Sequence, residues 1–469
     1  MSKQSDPIRP ELIRPAKRPK TNKATKRRKV AGPLKAFVGP HALGQALDQA
    51  VPPRRRLEIA QQSGYDAPAQ KLTFEPYLRA RLVRQIEGGS LHDLQDGMAR
   101  DPLYPAHGAP LEISVPGLSK ANAQRAPQPF WDVLAEVRAA VDALPQAVRI
   151  GRGQPLGAAP PKQWREIGRL LERTQIFAGT TVELPPQIAQ WARTSTKQER
   201  AGIKVQVRLR AGYGGLDRVR VTGGKGNDTP YFRAMVELET AAPGQVYLFE
   251  TGYCKLATYE AMREHGSELV RSLHESIPVE VVEERVVETP VTAQGDMSHS
   301  ERIVHLGTGK TRSRSLWRIL DATETQGQRR TIVTSLLEES AEGITQLRTY
   351  RWTIEIVFRW LKRVLQLDTL ISYSPGGIEM QVAVALITYG LLLLYHAGGA
   401  LSLKALQRRV KRALHEALFA AGVAEGERRA QERRARHEAG LPLLREAGYP
   451  RERAGRRRNP GHYFSSHSL

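Results

Sequence analysis

Residues 203–210, IKVQVRLR, alternate apolar with basic or polar side chains at a period of two, which puts Ile203, Val205, Val207 and Leu209 on one face. Successive side chains of a strand point to opposite sides, so this pattern reads as a half-solvated antiparallel strand. QVYLF at 245–249 is of another kind, a continuous apolar run ending in Glu250, as expected of a strand covered on both faces. Carboxylates at the end of such a strand often line a site. TQIFAGTTVEL before residue 203 and DRVRVTG after residue 210 also read as strands. Helices accompany them: WDVLAEVRAAVDAL at 131–144 is amphipathic, TYRWTIEIVFRWLKRVL continues the pattern, and VAVALITYGLLLLY at 382–395 is apolar throughout. That last run is shorter than the roughly 18–20 residues needed to cross a bilayer and is interrupted by Thr388 and Tyr389, so it reads as a buried helix. The fold class is α/β.

A chain of 469 residues exceeds one ordinary core and suggests two to four units at roughly 100–200 residues each. Its formal net charge of +23 calls for a polyanionic partner, nucleic acid first and an anionic membrane second. Cys254 is the only cysteine, which excludes an internal disulfide framework and a thiolate zinc site. The stretch from Lys3 to Lys29 is basic with no apolar run behind it, unlike a signal peptide or an anchor, and the expected location is cytoplasmic, in association with the nucleoid.

Composition divides the chain into six parts. Residues 1–70 read as a basic, largely disordered arm and 71–165 as a helical DNA-binding domain. The first part of the α/β core spans 166–264, a β-rich insertion 265–345, the second part of the core 346–400, and a basic helical tail 401–469. Within the helical domain, Ser114 and Pro116 form a helix start before GLSKANAQR. That helix could present Ser119, Lys120, Asn122 and Arg125 to DNA, although its connection to the preceding helix is longer than a helix-turn-helix allows.

The stretch with the most chemistry is YRWTIEIVFRWLK at 350–362. On a helix, Ile354, Phe358, Leu361 and Leu365 make a buried stripe, and Arg351, Glu355, Arg359 and Lys362 lie along an adjoining one. Taken alone, the second stripe is a row of i,i+4 ion pairs contributing a few tenths of a kcal/mol each. Its spacing also resembles the C-terminal signature of the IS-four family of bacterial DDE transposases: Tyr, two residues, Arg, three residues, Glu, six residues, Lys. Arg351, Glu355 and Lys362 fall on the Arg, Glu and Lys. LTFEPYLRARLVRQIEGGSLHDL and ISVPGLSKANAQR resemble that family's N-terminal helical region. AGTTVELP at 178–185 resembles the stretch around its first catalytic Asp, and LFETGY at 248–253 the stretch around its second. The ordered set covers roughly residues 70–400.

The resemblance implies an RNase H-like core in which three carboxylates hold two Mg²⁺ or Mn²⁺ ions for in-line phosphoryl transfer. It implies double-stranded DNA carrying terminal inverted repeats as partner, a homodimer on that DNA, and no membrane. Glu355 and Glu250 would be the catalytic and metal-binding acids, with Arg351 and Lys362 on DNA phosphates. The sequence departs from the pattern at three places. Ala178 replaces the first Asp, and a methyl group binds no metal. Glu250 replaces the second, moving its carboxylate by roughly 1.5 Å. Arg348 replaces the signature Tyr and keeps a capacity for phosphate. Asp217 and Asp228 lie downstream of Ala178, near turns rather than at its strand position.

The function expected is therefore cut-and-paste transposition of an insertion sequence, with catalysis impaired at Ala178. The alternatives are a non-catalytic terminal-repeat binding protein or repressor on the same scaffold, and a basic nucleic-acid-binding protein unrelated to transposition. GTGKT at 307–311 lacks the first Gly of a phosphate-binding loop, because Val304 stands there. Trp317 reads as a core residue of the insertion or as a platform for a flipped base.

Overall fold

A computed structural model describes residues 42–67, 71–100, 113–144, 162–195, 200–212, 214–223, 235–236, 243–249, 256–274, 276–286, 297–323, 329–363 and 365–397, with positions 431 and 435. The basic stretch before residue 42, Asp228, Glu250, Cys254 and almost all of the tail lie outside the described residues. The chain divides into two compact units, Met1–Ala417 and Leu418–Leu469, and the elements below belong to the first.

The alternating and continuous apolar stretches both become strands of one mixed sheet. Its members are β1 (Thr174–Leu184), β2 (Arg193–Ser195), β3 (Arg200–Arg210), β4 (Leu216–Gly223), β5 (Val246–Phe249), β6 (Glu268–Ser272), β7 (Val279–Val286), β8 (Met297–Leu306), β9 (Trp317–Thr323) and β10 (Arg329–Thr334). β1 lies between β3, which it pairs antiparallel, and β5, which it pairs parallel, and β6 runs parallel to β5. β4 pairs with β3, and the sheet continues from β6 through β10, β9, β8 and β7 in antiparallel register. The strands of the stretch 265–345, expected as a β-rich insertion, thus lie in the same sheet, with β6 a parallel neighbour of β5.

Alternation sorts the strand residues between two cores. Ile176, Ala178 and Val182 of β1, with Ile203, Val205, Val207 and Leu209 of β3, join the larger core beneath the helices. Phe177 joins Tyr247 and Phe249 of β5, Trp317 of β9, and Tyr259 and Met262 of α8, defined below, on the opposite face. Trp317 is therefore a core residue, edge-on to Tyr259 at 6.1 Å. β5 is buried at all four positions, as its apolar run requires. β3 departs from expectation: Gln206 and Arg208 on its polar side are buried too. Arg208 reaches Asp217 and the carbonyl of Met235 there, so the charge is compensated rather than solvated.

The helices before the sheet are α1 (Ala42–Ala50), α2 (Pro53–Gln62), α3 (Phe74–Glu87), α4 (Leu91–Arg100), α5 (Val115–Gln124), α6 (Gln128–Asp142) and α7 (Lys162–Glu172). α8 (Leu256–Glu264) lies between β5 and β6; α9 (Ala341–Thr349), α10 (Trp352–Arg363) and α11 (Pro375–Ala397) follow the sheet. The arm expected over residues 1–70 is corrected in its second half. Leu43, Ala46, Leu47 and Val51 repeat at helical spacing and are buried with Ile59 and Ala60 of α2. α3 stops where Gly88 and Gly89 adopt positive φ of 88° and 106°, a conformation that costs a side-chain-bearing residue. α5 starts as expected, the Ser114 hydroxyl accepting from the Gly117 amide at 3.3 Å.

α11 packs against α1, α3, α5 and α6. Its apolar stretch has the length and composition of a membrane span, and its residues from Gly377 to Leu394 are buried inside protein. The Tyr389 hydroxyl donates to the carbonyl of Gly214 at 2.8 Å, tying α11 to the β3–β4 turn. Gly214 has φ +71°, and a Cβ there would lie 3.1 Å from that hydroxyl, so the turn and the tie both require glycine. The helical region and the sheet consequently share one core: Arg84 of α3 donates to the Thr369 carbonyl and Ser374 to that of Asn122, each at 2.8–3.0 Å.

Candidate nucleic-acid interface and active site

Ala178 lies in the middle of β1, opposite Val207 of β3, 6% exposed, with its methyl in the core beneath the helices. α10 packs on that core through Ile354, Val357, Phe358 and Leu361. Its far end is fixed to β1, because Lys362 Nζ donates to the carbonyl of Thr181 at 2.7 Å. The fold therefore brings the helix carrying Glu355 onto the same strand, and the same face of it, as position 178. Thr174 pairs with Val246 and Ile176 with Leu248, a constant offset of 72 residues between β1 and β5. Positions 178 and 250, assigned to the first two acids from sequence, differ by the same number; the described part of β5 ends at Phe249.

The polar stripe of α10 divides along its length. The Arg351 guanidinium, 6% exposed, donates to Glu355 Oε1 at 3.1 Å, while the Glu355 side chain is 40% exposed. This is the i,i+4 pair of the simpler reading. It also leaves one face of the carboxylate toward solvent. Arg359 is exposed. Arg348, expected to bind phosphate, is buried in α9 and donates to the Ser272 hydroxyl at the end of β6, 2.8 Å away. Its place in the fold is internal: it ties α9 to the sheet.

Residues 170–391 match the transposase DDE domain. Over 233 residues the chain is 26% identical to a Geobacillus stearothermophilus protein described as a transposase for insertion sequence element IS5377, covering 49% of this chain and 59% of the relative. It is 24% identical over 234 residues to a Sinorhizobium fredii protein described as transposase y4zB, covering 49% and 61%. The chain spans about three fifths of the length of these two relatives. Comparison with a chain of the piggyBac transposase synaptic complex with hairpin DNA covers 87% of each at 9% identity, with a TM-score of 0.43, a likeness too low to carry an argument about the fold.

The matched domain begins within α7 and ends within α11, so it contains β1, β5 and α10. The metal pair implied by a DDE domain needs carboxylate oxygens from three acids. Among the described residues no group of three or more His, Cys, Asp or Glu side chains could hold a metal ion. Ala178 has no oxygen to give, and Glu355 accepts from Arg351. Asp217, a conceivable replacement, is bound to Arg208 and lies 3.1 Å from Arg210, which commits it to β3 and β4. The described residues do not fit a metal pair.

The proposed DNA-reading helix is largely turned inward. Asn122 is fully buried, its Oδ1 accepting from the Tyr77 hydroxyl at 2.6 Å and Arg81 at 3.0 Å. Arg125 donates to the Leu72 carbonyl at 2.5 Å and covers the Tyr65 ring at 5.0 Å. Ser119 and Lys120 are exposed. Sequence reasoning passed over Arg81, which with Tyr77 holds Asn122 in place; it sits amid apolar residues of α3, the one signal that it points inward.

Proposed function

We propose that the chain is a DNA-binding insertion-sequence transposase with an RNase H-like core, impaired in strand cleavage as it stands. The supporting observation is the placement of Ala178 and Glu355: position 178 on the central strand, beneath the helix bearing the third acid, within a transposase DDE domain. The order β4, β3, β1, β5, β6, antiparallel on one side of β1 and parallel on the other, suits an RNase H-like core. Terminal inverted repeats are the DNA this reading assigns, held by a dimer, with binding that falls steeply with salt because a chain of +23 displaces many counterions. Lys362 and Lys120 are its candidate phosphate contacts.

Catalysis by this family uses divalent metal ions, which activate the nucleophile and stabilise the leaving oxygen. Here Ala178 withholds one ligand, and the Glu355 carboxylate is neutralised by Arg351. The protein should bind end DNA and nick it little. Ala178→Asp with Glu250→Asp should restore metal-dependent nicking of end DNA, and adding Glu355→Ala should abolish it again. Cleavage by the unaltered chain at the rate of the double variant would overturn the impairment. Binding without preference for end DNA would favour a basic nucleic-acid-binding protein unrelated to transposition.

A further inference from the structure

Three buried guanidinium groups in this protein face carboxylates: Arg56 has Glu75 at 2.6 Å and Asp48 at 2.8 Å, Arg318 has Glu301 at 2.6 Å, and Arg208 has Asp217. Arg348 is buried to a similar degree, 4% exposed, and its Nη2 donates to the Ser272 hydroxyl at 2.8 Å. Ser272 is the last residue of β6, and what lies beside it follows from register. β5 and β6 run parallel, with Leu248 opposite Val270 and Phe249 opposite Arg271. Phe249 belongs to the smaller core, and the Arg271 guanidinium covers the Tyr259 ring of that core at 5.4 Å. Successive side chains of a strand alternate between faces, so Ser272 turns to the other one. That is the face on which α9 packs through Ile344 and Leu347, and from which Arg348 reaches down.

We propose that Glu250 continues β5 by one residue, opposite Ser272, and that its carboxylate forms an ion pair with Arg348, which makes Arg348 a positioning residue for the second acid. Neighbouring strands lie about 4.8 Å apart, so a side chain at position 250 on this face comes within reach of the guanidinium that touches Ser272. Glu has one methylene more than Asp, which carries its carboxylate roughly 1.5 Å further out. Arg348 brings a charged, planar fork of donors suited to a carboxylate, where the Tyr of the family's pattern would bring no charge. The departures at 250 and 348 are then one change made in two places. Glu355 accepts from Arg351. Both acids of the candidate site would thus be held by arginines, whose positive charge answers carboxylates that divalent ions would otherwise bind. The inference rests on the reading of residues 178, 250 and 355 as an altered DDE site, and it names the partner of the second acid.

The test is a double-variant cycle read by urea unfolding of the full-length chain, without DNA or added metal. Arg348→Met and Glu250→Gln should each lower the midpoint, and the two together should lower it no further than the more damaging one alone. Arg348→Lys, which keeps the charge, should lose less than Arg348→Met. The loss caused by Glu250→Gln should shrink as pH falls from about 7 toward about 4, because the carboxylate takes up a proton and the pair is lost with it. A bond from Arg348 to the Ser272 hydroxyl alone gives neither the coupling nor the pH dependence. Losses that simply add, or a Glu250→Gln loss independent of pH, would overturn the pair. If a variant fails to fold, a crystal structure of the unaltered chain decides: a Glu250 carboxylate oxygen within about 4 Å of the Arg348 guanidinium supports the pair, and a carboxylate turned elsewhere refutes it. Additive losses alongside restored nicking in Ala178→Asp with Glu250→Asp would sink the pair alone, whereas coupled losses without restored nicking would leave the pair standing and sink the reading of the site.

Discussion

Placing an acid at position 178 should make the fold depend on metal and on pH, and the size of the effect follows from burial. Ala178 is 6% exposed among Ile176, Val182, Val207 and the apolar face of α10. A lone Asp in such surroundings has its pKa raised by several units. At pH 7 the cost is limited by protonation to about three units above the ordinary Asp value, or ~4 kcal/mol at 1.36 kcal/mol per unit. The sign is that of an acid whose pKa is higher in the folded state. The penalty is present at pH 7 and fades as pH falls toward about 4, where the unfolded chain also takes up the proton. In Ala178→Asp with Glu250→Asp, a divalent ion at a hundred times its Kd should return ~2.7 kcal/mol. Urea unfolding at pH 7, in EDTA and then in Mn²⁺, measures both quantities. The reasoning fails if Ala178→Asp unfolds at the same urea concentration as the parent in EDTA, or if Mn²⁺ stabilises the double variant no more than it does the parent.

Arg351→Ala should lower stability by about 1–2 kcal/mol, since it removes a buried side chain bonded to Glu355, whereas Arg359→Ala on the exposed face should stay within about 0.5 kcal/mol; equal losses in urea melts would refute the assigned burial. Burial of the Glu379 carboxyl on α11 raises its pKa from 4.5 to about 7, so stability should fall as pH rises between those values, and Glu379→Gln should flatten that slope. A fragment of residues 1–144 should give no cooperative melt by circular dichroism, because α1, α3, α5 and α6 pack on α11. Co-expression with residues 145–417 should restore one.

Period-two alternation located β3, and a continuous apolar run located β5, because each pattern is fixed by which faces of a strand are covered. Ordered spacing placed position 178 and Glu355 on elements that the fold brings together. What covers a face is a different matter. Arg208 looked solvent-bound in IKVQVRLR because nothing local announces that Asp217, after a turn, will meet it. Asn122 and Arg125 looked like DNA contacts on a short polar helix, yet their partners, Tyr77, Arg81 and the Leu72 carbonyl, come from 45, 41 and 53 residues away. α1 and α2 were lost in the charge of the arm before them, although the spacing of Leu43, Ala46 and Leu47 was there to be read. The Arg351 pairing with Glu355 was legible only as one of two readings of the same stripe.

The Gly214–Tyr389 tie and the packing around α11 set an order of events in the cell. The last residue of α6 is 142 and the first of α11 is 375, so the opening helices leave the ribosome long before the helix that completes their core. At roughly 5–20 residues per second the wait is on the order of 10–50 s. Throughout it Val137 of α6 lacks the helix it packs against, since Gly390 of α11 lies beside it in the finished fold. A ribosome that stops early releases a chain whose helical region is sticky and unfinished, and only synthesis through the whole transposase domain lets it close. Completion of α10 thus comes before completion of the first helical layer, and the chain cannot present a finished helical region ahead of its sheet.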